Sequence, residues 1–123
     1  MSNINEVIFI SPMYNAETHL KELVDSLKEQ SNQNWKHIII DDMSTDNSWN
    51  YACEVTKDDS RFQIRKNHEK CWALKNVVKI AREFEHREDV VIAVLDADDA
   101  LCNENTVNLL LKGYSKNVDA LWT

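Results

Sequence analysis

The sequence predicts an α/β domain: a three-layer α/β/α sandwich with a mostly parallel sheet. Three observations predict it. Strand-like and helix-like segments alternate along the chain, which argues for parallel strands with crossover helices. The strand-like runs 7–10, 37–40 and 90–95 are continuously apolar, as strands covered on both faces are. Those same runs each end in a polar cluster, and open α/β sheets bind ligands outside the carboxyl ends of their strands.

The elements follow in order. Val7-Ile8-Phe9-Ile10, closed by Ser11-Pro12, reads as a buried strand. Leu20, Leu23, Val24 and Leu27 fall at i, i+3, i+4 and i+7, the stripe of an amphipathic helix. Asn15 is the expected N-cap, with Glu17 near the positive end of the helix dipole. Lys36 to Ile40 forms a second strand, stopped by Asp41-Asp42. Trp49, Ala52, Cys53 and Thr56 mark a second helix, and Phe62-Gln63-Ile64 a short edge-like strand. Leu74, Val77, Val78 and Ala81 repeat the helical spacing, so a helix is expected from about Cys71 to Phe84. Val90 to Leu95 is a strand, and Asn103 is placed to cap a last helix with Val107, Leu110, Leu111 and Tyr114 on one face. Ala120 to Thr123 reads as the opening of a fifth strand. A domain that stops inside a strand is expected to be truncated or reduced.

Composition limits the function. The 123 residues suit one domain, 1–123, with one core. Fourteen Lys and Arg against 21 Asp and Glu leave a net charge of −7, which argues against nucleic acid as a partner. No apolar run approaches the ~18 residues of a membrane span, and the N-terminus lacks the pattern of a secretory signal. Cys53, Cys71 and Cys102 are widely spaced and form no CxxC pair, so free thiols and a cytoplasmic location are expected. The single glycine, Gly113, excludes both a Walker A loop and a GxGxxG turn. Any nucleotide held here is held by another device.

That device is sought in the three strand-end clusters: 11–15, 41–46 and Asp96-Ala97-Asp98-Asp99. Parallel strands bring them to one edge, where their carboxylates repel one another unless a counter-charge is present. A divalent cation supplies it. Carboxylate oxygens suit Mg²⁺ or Mn²⁺, and Mg²⁺ is commonly completed by substrate phosphates. Asp96 and Asp98 thus read as half of a metal site completed by a diphosphate. An EF-hand loop from Asp96 fails, because Ala100, Leu101 and Val107 stand where it needs an oxygen ligand, Gly and Glu. A phosphatase of the haloacid-dehalogenase type, with Asp96 as nucleophile, expects Thr or Val at Ala100. It also needs a downstream Lys and acidic loop, for which 24 residues after Asp99 leave little room.

The ordered motifs resemble those of family-2 glycosyltransferases with the GT-A fold, in their N-terminal half. The matching stretches are 7–48, NHEKCWALKN at 67–76, and VIAVLDADDALCNEN at 91–105, nearly the whole chain. The resemblance implies that Pro12, Tyr14, Asn15 and Glu17 line a nucleotide pocket, with base and ribose contacts from Pro12, Tyr14 and Glu17. It implies that Asp41 or Asp42, in the segment ending at Ser44, accepts a hydrogen bond from a uracil-type base. Asp98 would hold the metal that bridges the diphosphate, Asp96 would contact ribose or metal-bound water, and Asp99 is a further ligand candidate. The implied activity is metal-dependent (Mn²⁺ or Mg²⁺), inverting transfer from a nucleotide-sugar, preferably a UDP-sugar, to a glycan, protein or lipid acceptor.

Two features depart from the family pattern. Glu69 and Met43 stand where the family often has glycine. Asn67, Lys70 and Asn76 remain pocket candidates, and His68 is read as a solvated loop residue. Trp35, Trp49, Trp72 and Trp122 are read as core. The family's catalytic base lies after the DxD, so it is expected outside this chain. The alternative reading is a domain that binds a nucleotide or a partner without transferring sugar.

Overall fold

A computed structural model describes residues 4–114. Four parallel strands, β1 (Glu6–Met13), β2 (Trp35–Asp41), β3 (Phe62–Lys66) and β4 (Val90–Val94), lie in the order β3-β2-β1-β4. They alternate with α1 (Leu20–Lys28), α2 (Ser48–Thr56), α3 (Ala73–Ala81) and α4 (Thr106–Tyr114), and one 3₁₀ turn, Arg82–Phe84, follows α3. The expected alternation holds through its first eight elements. The expected strand at 120–123, Trp122 included, lies outside the described residues.

For the runs in β1 and β2 the predicted cause holds, whereas β4 lies at the edge of the described sheet, with Val91 buried and Val94 55% exposed. Successive side chains of a strand point to opposite faces, so Val7, Phe9 and Met13 join Trp35 and Ile39 on one face. There they meet Leu20, Leu23, Val24 and Leu27 of α1, Ala52 of α2, and Val107 and Leu110 of α4. Ile8, Ile10, Ile38 and Ile40 point the other way, against Val77, Ile80, Ala81 and Phe84. Burying each such side chain is worth roughly 1.5–3 kcal/mol. Both faces therefore need apolar residues, and no position in mid-strand is free to be polar without a partner. Among the described residues no helix is long and apolar enough to cross a membrane.

Three local expectations are corrected. Asn15 does not cap α1. The helix starts at Leu20 behind His19, with no side-chain cap, and Asn15 stands in a left-handed conformation (φ 49°) bonded to the loop after β2. Of the stripe expected on α3, Val77 and Ala81 pack against the sheet but Leu74 and Val78 do not. Leu74 is 77% and Val78 42% exposed, while Asn76 and Ile80 are fully buried. Asn76 faces inward because its carbonyl accepts a hydrogen bond from Asn67, which turns the helix away from the purely apolar register. At α4, Asn103 accepts the N–H of Asn105, and the carbonyl oxygen of the Gln30 side chain satisfies the N–H of Val107. The helix start is thus capped partly from a residue more than 70 positions away.

One buried polar pair lies inside the sheet. His37 has no exposed surface and shares a 2.7 Å hydrogen bond with Ser11, between the rings of Phe9 and Phe62. Burial lowers its pKa to about 3. The imidazole stays neutral in the native state while the unfolded chain takes up a proton below about pH 6.5. Stability contributed by the neutral ring is therefore complete above pH 6.5 and is lost progressively as pH falls toward 3, by at most about 1.4 kcal/mol per unit. Urea unfolding followed between pH 7 and 5 should show a falling midpoint, and His37→Gln, which cannot titrate, should flatten that slope.

Candidate functional site

The chain passes from β1 outward to β2 and β3, then returns to place β4 on the other side of β1. The reversal creates a crevice between the carboxyl ends of β1 and β4, the position where open α/β sheets bind ligands. A cavity of about 500 Å³ lies there, walled by Pro12 to Ala16 after β1 and by Asp96 to Asp98 after β4, and closed on the β2 side by Asp42, Lys70 and Trp72.

The Asp-Ala-Asp alternation has a packing cause. Ala97 is buried and belongs to the apolar cluster under α1 and α4, while Asp96 and Asp98 on either side of it are exposed and line the cavity. Asp99 is also exposed, and its N–H closes a turn on the carbonyl of Asp96 at 2.9 Å. One carboxylate oxygen from each of Asp96, Asp98 and Asp99 lies within 4.8 Å of the others. Among the described residues no cationic side chain pairs with any of them. Hard carboxylate oxygen donors at this spacing fit one Mg²⁺ or Mn²⁺ ion.

Asp42 is the second centre. It is 3% exposed. One oxygen accepts the N–H of Cys71 at 2.7 Å and the amide of Asn67 at 3.0 Å, and the other accepts the N–H of Trp72 at 2.7 Å. The Lys70 ammonium lies 3.5 Å from that second oxygen and donates to the Asp42 carbonyl at 3.2 Å. Burial alone would raise the pKa of this carboxyl. The N–H groups of Cys71 and Trp72, the Asn67 amide and the Lys70 charge outweigh it and hold the carboxyl below its usual range.

Asn15 stitches the loop after β1 to the loop after β2. Its side-chain oxygen accepts the N–H groups of Thr45 (2.8 Å) and Asp46 (3.3 Å), and its own N–H donates to Ser44 at 3.0 Å. Ser48 accepts the next N–H, from Ala16, at 2.9 Å. Among the described residues three non-glycine residues hold positive φ: Asn15 at 49°, Met43 at 65° and Trp72 at 68°. All three lie in the loops around this cavity. Met43 keeps a left-handed backbone where the family often has glycine. Such conformations cost on the order of 1–3 kcal/mol each and persist where surrounding bonds over-determine them. The bonds to Asn15 and from the Trp72 N–H to Asp42 do so here.

The structure brings together Pro12, Tyr14, Asn15, Asp42, Asp96 and Asp98. Asp41 is 1% exposed, accepts the N–H of Ser44 at 3.1 Å and does not line the cavity, whereas Asp42 does. Ser44 and Asn67 stand behind the wall, holding Asn15 and Asp42, and Glu17 and Asp99 are not among the lining residues. Trp72, read from the sequence as core, is 70% exposed and forms a wall, because its N–H is pinned to Asp42 and its ring faces Lys70. Trp35 is core as expected, and Trp49 is half-buried beside Lys66. His19 also lines the cavity, and no sequence signal marked it.

A mostly parallel α/β sheet with an acidic cluster at its switch point has the architecture of the GT-A fold. The chain belongs to glycosyl transferase family 2, whose model matches residues 8–122. TuaG of Bacillus subtilis, named as a glycosyltransferase of teichuronic acid biosynthesis, is 32% identical over 93 residues, 76% of this chain and 36% of TuaG. Two solved structures share the fold. The S. aureus TarS 1–349 complex with UDP-GlcNAc has a TM-score of 0.68 at 22% identity, over 93% of this chain and 31% of that one. The mannosyltransferase PcManGT of Pyrobaculum calidifontis, in complex with GDP-Man and Mn²⁺, has a TM-score of 0.74 at 17% identity, over 94% and 33%. The chain therefore spans about a third of the length of these proteins.

Replacing Asp42 by Asn puts an NH₂ donor against N–H donors. Asp42→Asn should cost about 1–3 kcal/mol in urea unfolding and speed amide exchange at Cys71 and Trp72. Exchange at those two amides no faster than in the wild type would remove Asp42 from its place as the organiser of this wall.

Proposed function

We propose that the cavity binds the nucleoside diphosphate of a sugar donor, with uridine preferred, together with one Mn²⁺ or Mg²⁺ ion. The observation that carries this reading is the meeting of three convergent carboxylates with an aromatic-walled cavity at the sheet's switch point. TarS in complex with UDP-GlcNAc and PcManGT in complex with GDP-Man and Mn²⁺ support it by shared fold.

In this reading Asp98 and Asp96 hold the metal, with Asp99 as a further ligand. Tyr14 is half exposed and offers a ring face to a base, and Pro12 stiffens the turn that presents it. Asn15, Ser44 and Asn67 act as positioning residues, fixing Tyr14 and Asp42 through the bonds described above. The ion, when bound, supplies charge stabilisation for the departing diphosphate. Donor binding is the half of the reaction that these residues support. Transfer with inversion to a glycan, protein or lipid acceptor requires a carboxylate base, which we assign to residues outside this chain. Three free thiols, one of them the exposed Cys102, are in keeping with a reducing, cytoplasmic setting.

Calorimetric titration with UDP should show binding that strengthens at least about tenfold with Mn²⁺, since the ion offsets the repulsion between carboxylates and diphosphate. Asp98→Ala should abolish the Mn²⁺ effect. No UDP binding, or Mn²⁺-dependent binding unaffected by Asp98→Ala, sinks the reading. UDP release from a panel of UDP-sugars would separate a transferase from a domain that only binds.

A further inference from the structure

Lys70 lies in the cavity in an unusual setting. Its ammonium sits 3.3 Å from the centroid of the Tyr14 ring and 4.8 Å from that of Trp72. It is tethered by the Asp42 carbonyl at 3.2 Å and faces the Asp42 carboxylate at 3.5 Å. Only 27% of its side chain is exposed, although the cavity around it is open to solvent-sized molecules. Tyr14 and Trp72 are themselves more than half exposed, at 51% and 70%. An ammonium on a ring face is attracted by the ring quadrupole. A planar base stacked on the same face gains at least as much. The same Tyr14 face cannot serve both.

We propose that Lys70 is a resident occupant of the base subsite. Tyr14 and Trp72 form the two walls of a slot, and the Lys70 ammonium fills it in the free protein. A nucleotide base enters by displacing the ammonium from Tyr14. Lys70 therefore sets the affinity of the site by competition, and Trp72 is a second wall of the base subsite. The backbone supports this placement. Asp42 pins the N–H groups of Cys71 and Trp72, the two residues after Lys70, so the side chain is launched from a fixed base rather than from a loose loop. The inference rests on the donor-binding reading above and concerns the base alone, not the diphosphate.

Calorimetry on the full chain with Mn²⁺ tests it, with UDP and inorganic pyrophosphate as the two probes. Any loss of general attraction to anions on removing Lys70 affects both probes, whereas the slot affects only UDP. In Lys70→Ala the ratio of UDP to pyrophosphate affinity should rise about three- to tenfold. Lys70→Arg retains a cation that lies well on aromatic rings and should show no such rise. Trp72→Ala should lower the ratio about tenfold through loss of one stacking face. If the wild type binds UDP and the Lys70→Ala ratio is unchanged or falls, Lys70 is a ligand contact or a bystander and the proposal is wrong. If neither wild type nor Lys70→Ala binds UDP, the donor-binding reading itself fails, and the proposal with it.

Discussion

Asp42 stands at the end of β2, nearly out of water, and spreads its two oxygens over three N–H donors and one ammonium. Charge-assisted bonds of this kind are roughly twice as strong as neutral ones, and a buried carboxylate cannot give them up without a large desolvation cost. The loop from Asn67 to Trp72 consequently has one arrangement. Its path fixes where Lys70 points, which way the Trp72 ring faces, and why Asn76 must turn inward on α3. The far wall of the cavity depends on this one residue.

The near wall is built differently. After β1 the chain makes its turn with Asn15 rather than glycine, and Asn15 satisfies three neighbouring N–H and O–H donors of the loop after β2 with a single side-chain oxygen. The same economy recurs at Met43 and Trp72, which hold positive φ without the residue that does so most readily. Hydrogen bonds to Asn15, Asp41 and Asp42 stand in for the missing glycines. Met43, one of the two departures from the family's glycine pattern, keeps its left-handed backbone without opening the fold.

Much of this was legible in the sequence. The apolar runs of β1 and β2 are strands buried on both faces, and the stripe at Leu20, Leu23, Val24 and Leu27 is the face α1 buries. Asp96 and Asp98 were legible as an acidic pair at a strand end, and both stand exposed around the buried Ala97. Other residues were misread for a shared reason. Asn15 has the chemistry of a helix cap, Leu74 and Val78 have the spacing of a core stripe, and Trp72 has the bulk of a core residue. Each was diverted by a partner distant in sequence: the loop after β2 for Asn15, Asn67 for the α3 register, Asp42 for Trp72.

By itself, then, the sequence determined the layers, the parallel direction and the edge on which the polar clusters gather, because periodicity and strand-end chemistry are local properties. Only the tertiary structure decided which of Asp41 and Asp42 faces the cavity, that Lys70 lies on the ring of Tyr14, and that Trp72 is a wall rather than core. Adjacent residues on a strand end differ by one step of alternation, and a loop's course is set by whichever distant donors its groups can reach. Those are distances in space, and no spacing along the chain encodes them.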